Sequence, residues 1–250
     1  MHALSRRFVA LADACLPATC VVCAGDEPTG LCAACENDLP GSRARRCVRC
    51  GMLVDAHVDA GVEHDAGIQC GACVAAPPAC ARTVVLADYA APLDRVVHAL
   101  KFGRDASIAR PLGRRLACRA DAAIDSLPIR LVQTLVVTAV PLATRRLAAR
   151  GFNQSLEIAR TFASVRSLPL EHRLLARRRD SAPASTLHAR ERRAALRGAF
   201  DAPLRLDGRA VIVVDDVMTT GATLEAAAEA LLGAGAATVI NCVVARTPDR

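Results

Sequence analysis

Apolar runs of strand length alternate with amphipathic stretches along the C-terminal two thirds of the chain. Thr83 to Tyr89, Leu135 to Val140 and Thr238 to Ala245 are valine-rich and almost free of charge. Such runs predict strands buried on both faces. The strongest is Val211 to Val214, four consecutive β-branched residues. Between these runs, apolar positions predict helices near Leu93 to Leu100, Ser107 to Ala123 and Thr223 to Leu232. Another helix opens at RGFNQS (Arg150 to Ser155) and reaches about Ala163. A weaker strand is expected near Leu170 to Ala176, and a helix near Leu187 to Leu196. Strands alternating with helices predict an α/β fold with a mostly parallel, twisted sheet covered by helices on both faces.

The N-terminal third breaks this pattern. Phe8, Leu11, Ala12, Cys15 and Leu16 recur at helical spacing and predict a short amphipathic helix. Arg6 and Arg7 followed by apolar residues faintly imitate a secretory signal, but Asp13 interrupts the apolar part. Cysteines then dominate. Eight of the twelve form four CxxC pairs: Cys20/Cys23, Cys32/Cys35, Cys47/Cys50 and Cys70/Cys73. Each pair puts two thiolates on one tight turn, where they can bind a single Zn²⁺ at about 2.3 Å. In chain order the spacings read as two zinc ribbons, the second with a long insertion from Met52 to Gln69. Spacing also permits pairing across ribbons, such as the first knuckle with the third. His57 and His64 lie in the insertion and are read as surface-loop residues, since four complete cysteine pairs supply every ligand. A disulfide framework would require secretion, and redox CxxC motifs come singly in a βαβ context. Two structural zinc ions are therefore expected. Cys15, Cys80, Cys118 and Cys242 are read as small apolar core residues. Pro77-Pro78 marks a linker, which divides the chain into a ribbon segment (1–80) and an α/β domain (81–250).

At 250 residues, with about half of them apolar, the chain can bury a full α/β core and carry a small appendage. No apolar stretch reaches the roughly 20 residues of a membrane helix, so no membrane insertion and a cytoplasmic location are expected. The net charge of +7 comes almost wholly from arginine, because Lys101 is the single lysine. Its distribution matters more than its sum. Arg145, Arg146 and Arg150 stand in a stretch free of acids, and Arg177, Arg178, Arg179, Arg190, Arg192 and Arg193 face only Asp180 and Glu191. Such clusters suit pyrophosphate or a nucleic-acid backbone. With two per cent aromatics, a base-stacking platform has little support.

The sharpest chemistry lies in VIVVDDVMTTGAT, Val211 to Thr223. A buried strand runs into Asp215 and Asp216, and a polar turn follows at a helix start. Such a turn presents free N–H groups and a positive dipole end to an anion. The threonine hydroxyls add donors, and Gly221 lets a phosphate approach the backbone closely. Carboxylates beside that cradle suit ribose hydroxyls, Mg²⁺ or both.

These residues resemble the phosphoribosyl-pyrophosphate (PRPP) motif of type I phosphoribosyltransferases at every position. The resemblance implies that Asp215 and Asp216 hold the ribose hydroxyls. It also implies that Val217, Met218, Thr219, Thr220, Gly221, Ala222 and Thr223 form the segment that wraps the 5-phosphate. The ribbons, ALKFGRD (Ala99 to Asp105), VPL…RGFNQ and this motif occur in one order. Together they resemble the ComF family of double-zinc-ribbon, phosphoribosyltransferase-like proteins over nearly the whole chain. By that similarity the loop after Val140, which holds Arg145, Arg146 and Arg150, lies on the pyrophosphate side. Arg177 to Arg193, with Arg178 and Arg179, corresponds to a mobile covering loop. Ala184 and Ala195 stand where the family carries glutamine and asparagine, which removes two amides from that loop. PRPP binding is thus better supported than turnover.

Two functions follow. The first is a Mg²⁺-dependent phosphoribosyltransferase, of the glycosyltransferase class, with an unknown acceptor and a role in DNA uptake. No residue is an evident general base. The second is a non-catalytic accessory protein that binds single-stranded DNA and competence or recombination proteins, its PRPP site a sensor or relic.

Overall fold

A computed structural model describes residues 19–54, 67–103, 105–178 and 198–248. In chain order the ribbon segment carries α1 (Ala33–Asp38) and α2 (Gly71–Ala75). The α/β part follows with β1 (Arg82–Asp88), α3 (Leu93–Phe102), a 3-10 turn (Ala106–Ile108), α4 (Ala109–Arg119), α5 (Asp121–Asp125) and α6 (Ile129–Gln133). Next come β2 (Val136–Ala139), α7 (Thr144–Arg150), α8 (Gln154–Arg166), β3 (Ala176–Arg177) and β4 (Phe200–Asp201). The chain ends on β5 (Ala210–Met218), α9 (Ala222–Gly233) and β6 (Thr238–Arg246).

Four strands form one parallel sheet in the order β1–β6–β5–β2. Because side chains alternate across a strand, the valine-rich runs feed two cores at once. Ile212 and Val214 of β5, with Ile240, Cys242 and Val244 of β6, face Leu100, Leu112, Leu116, Ile158 and Phe162 of α3, α4 and α8. Val211 and Val213, with Val239 and Val243, face Leu224, Ala227, Ala228 and Leu231 of α9, together with Phe200 and Leu206. Each fully buried leucine, isoleucine or phenylalanine contributes about 1.5–3 kcal/mol. The fold class expected from the sequence is the one observed.

Several local expectations change. β5 does not end at the acids: it continues past Asp215 and Asp216 to Met218, because β6 is long enough to pair with it up to Arg246. Arg145, Arg146 and Arg150, expected in a loop, lie on α7, which ends at Gly151 in a left-handed cap (φ +82°). The single helix expected from Ser107 to Ala123 is a 3-10 turn and two short helices meeting at Ala120. Leu170 to Ala176 is not a strand; Leu170 makes an isolated bridge to Val137, and only Ala176–Arg177 pairs, antiparallel to β4. Cys118 is exposed rather than in the core, whereas Cys80 and Cys242 are buried. The short N-terminal helix with Cys15, the loop holding His57 and His64, and the helix near Leu187 to Leu196 lie outside the described residues.

The ribbon segment lies along the free edge of β1. The N–H of Thr83 donates to the carbonyl of Val48 at 2.8 Å, and that of Asp88 to Pro40 at 2.7 Å. Arg46 pairs with buried Asp88 at 2.7 Å, and Arg49 donates to the Pro78 carbonyl at 2.7 Å. An edge strand with unpaired backbone groups is thereby covered.

Candidate functional site

The site is built where β5, β2 and α3 end and α8 and α9 begin. β5 delivers Asp215 and Asp216 side by side, so their carboxylates leave opposite faces of the strand. Ser155, buried at the start of α8, donates its hydroxyl to Asp215 Oδ1 at 2.8 Å, and the Asp216 N–H donates to the same oxygen at 2.9 Å. Asp216 is 8 % exposed and pairs with Lys101 Nζ at 3.2 Å. Lys101 comes from the last turn of α3, within the ALKFGRD segment.

Two carboxylates in so closed a setting resist double ionisation. Burial, reinforced by the Asp216 charge, pushes Asp215 up to about 7; the Ser155 hydroxyl and the Asp216 N–H only partly offset this. Arg150 is the second cation of the site. Burial disfavours its guanidinium charge, Asp216 favours it and Arg146 opposes it. Its guanidinium lies 5.1 Å from the centroid of the Phe102 ring and donates to buried Gln154 Oε1 at 3.1 Å. Asn153 caps α8 through Ser155 N–H at 3.1 Å and donates to the Val140 carbonyl at 3.0 Å. RGFNQS thus ties the end of β2 to the start of α8 and sets Ser155 against Asp215.

The turn after β5 has the geometry of an anion cradle. Gly221 sits at φ +80°, where L side chains are strained, and a Cβ there would lie 2.6 Å from Met218 Cε. Thr219 is exposed, Thr220 and Thr223 are partly buried, and Ala222 is buried as the first residue of α9. Thr220 Oγ1 accepts from Ala222 N–H at 3.4 Å. The other N–H groups at the head of α9 and the adjacent hydroxyls are donors of the kind that can take a phosphate.

Among the predicted arginines, the structure brings Arg150 to the acids and places Arg145 and Arg146 on the exposed face of α7. Arg178 pairs instead with Asp201 beside the β3–β4 ribbon. Arg179, Arg104, Ala184 and Ala195 lie outside the described residues. The contacts of Lys101 and Ser155 were not singled out from sequence. Their signals were present, in the single lysine of the chain and in the serine closing RGFNQS.

The eight CxxC cysteines form two groups in chain order: Cys20, Cys23, Cys32 and Cys35, then Cys47, Cys50, Cys70 and Cys73. Within each group the sulfurs all lie within 4.8 Å of one another, which settles the pairing. The Cys23–Cys32 and Cys50–Cys70 sulfurs are 4.0 and 3.7 Å apart. A tetrahedral Zn²⁺ with bonds of about 2.3 Å needs an edge of about 3.8 Å, so both sets could hold zinc. Backbone N–H groups of Cys32 and Cys70 donate to Cys20 Sγ and Cys47 Sγ at 3.5 and 3.3 Å, in the manner of metal-thiolate knuckles. The thiols titrate unevenly. A hydrogen bond from Cys50 brings Cys47 down to about 4, while burial holds Cys73 up to about 12. One charge among four sulfurs makes the next costly, and a central dication would favour all four as thiolates.

Comparison with known proteins agrees with this architecture. The phosphoribosyl transferase domain family matches residues 149–250, the span from the end of α7 through the acid pair to the last strand. DNA utilization protein YhgH of Escherichia coli O157:H7 is 36 % identical over 224 residues, covering 87 % of this chain and 91 % of that protein. Its counterpart in Salmonella typhimurium is 36 % identical over 218 residues with the same coverage. Competence protein F of Haemophilus influenzae is 26 % identical over 211 residues, covering 82 % and 86 % of the two chains. With two four-cysteine clusters at the front, a phosphoribosyltransferase-like sheet and relatives similar over nearly their full length, this chain belongs to the ComF family of phosphoribosyltransferase-like proteins.

Proposed function

We propose that this protein binds PRPP with Mg²⁺ and transfers its phosphoribosyl group to an acceptor, in a cytoplasmic process serving DNA uptake or use. The observation that carries this reading is the convergence of the Asp215–Asp216 pair, Lys101, Arg150 and the Thr219–Thr223 turn at one end of the sheet. The turn takes the 5-phosphate on backbone N–H groups and threonine hydroxyls. Asp215 and Asp216 orient the ribose hydroxyls, and their hard oxygens also suit Mg²⁺. When bound, Mg²⁺ would supply positive charge against the pyrophosphate oxygens. Arg150 and Lys101 add fixed positive charge near the leaving group, with Arg145 and Arg146 on the adjoining helix. As the C1–O bond to pyrophosphate breaks, the acceptor bond forms and the acceptor's proton passes to solvent or to the departing pyrophosphate. The protein's part is positioning and charge stabilisation.

Titration calorimetry with PRPP and Mg²⁺ tests the reading. Asp216→Ala should weaken binding by about 1–3 kcal/mol, the scale of charge-assisted contacts. Unaltered affinity in that variant would remove Asp216 from the site. A screen for pyrophosphate release over bases, amines and nucleic acids then separates a transferase from a binding module.

The relatives are named for DNA utilization and competence, and we infer a second reading beside the first: a non-catalytic protein that binds single-stranded DNA and competence or recombination proteins, its PRPP site a sensor or relic. Backbone binding of this kind releases counterions, so affinity for an oligonucleotide should fall steeply from low to moderate salt. A flat salt response argues against it.

A further inference from the structure

Arg246 closes β6 and stands between its register partners Asp88 of β1 and Met218 of β5. It is 6 % exposed. Its guanidinium faces two ways. Nε donates to the carbonyl of Cys50, in the second four-cysteine group, at 3.2 Å. One terminal nitrogen donates to the carbonyls of Met218 at 3.3 Å, of Thr247 at 3.0 Å, and of Thr219. The Thr247 N–H adds another donor to the Met218 carbonyl at 2.9 Å.

These contacts fix the first peptide planes of the candidate phosphate turn. In a trans peptide the C=O of one residue and the N–H of the next point in opposite directions. With the carbonyls of Met218 and Thr219 held toward Arg246, the N–H groups of Thr219 and Thr220 are turned away from it. Two carbonyl oxygens that would repel a phosphate are also withdrawn from the turn. The other end of the bridge is equally constrained. The Cys47–Cys50 knuckle is closed by Gly51 N–H donating to the Cys47 carbonyl at 2.8 Å. Gly51 lies at φ +70°, packed so tightly that a Cβ would come within 2.5 Å of Val85 Cγ2. Planar donors on two edges let arginine serve both ends, which an ammonium group could not do.

We propose that Arg246 is a positioning residue that couples occupancy of the second four-cysteine site to the anion affinity of the Thr219–Thr223 turn. This rests on the reading of that turn as the PRPP phosphate site. Loading of the four thiolates holds the Cys50 carbonyl in place, and Arg246 carries that order to the turn. Coupling between binding sites is reciprocal, so PRPP must in turn hold the metal on the second group.

The test uses the zinc-loaded full chain, a zinc-selective chelator and a thiol-alkylating reagent, with labelling followed cysteine by cysteine by mass spectrometry. Saturating PRPP with Mg²⁺ should slow labelling of Cys47, Cys50, Cys70 and Cys73 by about fivefold or more, the usual lower range of such coupling. Labelling of Cys20, Cys23, Cys32 and Cys35 should be unchanged and serves as the internal control. Arg246→Met should abolish the protection and weaken PRPP binding, while Arg246→Lys, whose ammonium can serve only one end, should keep part of the PRPP affinity and lose the protection. Equal protection of both groups reports general stabilisation and overturns the coupling. So does PRPP binding without protection, or protection that survives in Arg246→Met. Should that variant not fold, the wild-type comparison of the two cysteine groups decides alone. A wild-type protein that does not bind PRPP at all overturns the proposed function, and the coupling with it.

Discussion

At the scale of single residues, the carboxylate pair sets the pH behaviour of the site. Asp215 is held up to about 7 from an ordinary 3.8, by burial first and by Asp216 second. A raised folded-state value means that the fold prefers the protonated form. The stability associated with it is full below the ordinary carboxylate value and is lost as pH rises through about 7. Carboxyl carbon NMR should therefore show Asp215 titrating near 7, and Asp216→Asn should lower that midpoint. A midpoint near the ordinary carboxylate value would contradict the burial argument. Asp215→Asn should also raise the melting temperature more at about pH 8 than at about pH 5, because it removes a charge the fold holds at a cost. The pair itself was legible in the sequence because Asp215, Asp216 and the turn are contiguous. Its partners were not. Ser155 reaches Asp215 across 60 positions, and Lys101 reaches Asp216 from another helix, so no local pattern joins them.

At the scale of elements, period and composition located the four strands of the parallel sheet, while packing decided where helices break and how they meet. Val136, Val211 and Val239 announce strands because continuous branched residues suit a sheet buried on both faces. The extension of β5 to Met218 was not legible, since it depends on the length of β6 beside it. The break at Ala120 likewise needs the tertiary structure, as nothing in ACRADAA departs from helical composition. The contact between α4 and α8 turns on Gly113. A Cβ there would lie 2.7 Å from the Ile158 carbonyl oxygen and 2.8 Å from Thr161 Cβ. Helix propensity alone favours alanine over glycine by about 1 kcal/mol. Overpacking costs about 1–3 kcal/mol, and a backbone oxygen cannot swing aside as a flexible side chain would. Gly113→Ala should thus lower stability by up to about 2 kcal/mol in denaturant titration, despite its better propensity. An increase in stability would mean that α4 and α8 can separate at little cost.

At the scale of the whole molecule, the question is what holds the ribbon segment to the sheet. Between residues 19 and 54 the buried apolar side chains are Leu31, Leu39 and two of the cysteines, too few to offset the entropy of ordering that segment. The two four-cysteine groups were legible from spacing, and their metals are expected to supply the missing stability. The link to the sheet was not legible, because it runs through backbone and arginine contacts. Arg46 meets Asp88, Arg49 meets the carbonyls of Pro78 and Ala81, and Arg115 of α4 meets Glu36 at 3.3 Å. These contacts cover the edge of β1 but leave β5 and β6 paired on both sides within the sheet. Chelation should accordingly raise amide exchange first over residues 20–54 and 67–76. Thr83 and Asp88 should follow, since the carbonyls of Val48 and Pro40 that take their N–H groups lie in the ribbon segment. Val211 to Val214 and Val239 to Val244 should stay protected, because their partners lie inside the sheet. Unchanged exchange in the ribbon segment would show that the metals are not structural. Simultaneous loss of protection in β5 and β6 would show that the two parts unfold as one cooperative unit. Graded loss, ending at the free edge of β1, is the outcome that the hydrogen-bond pattern requires.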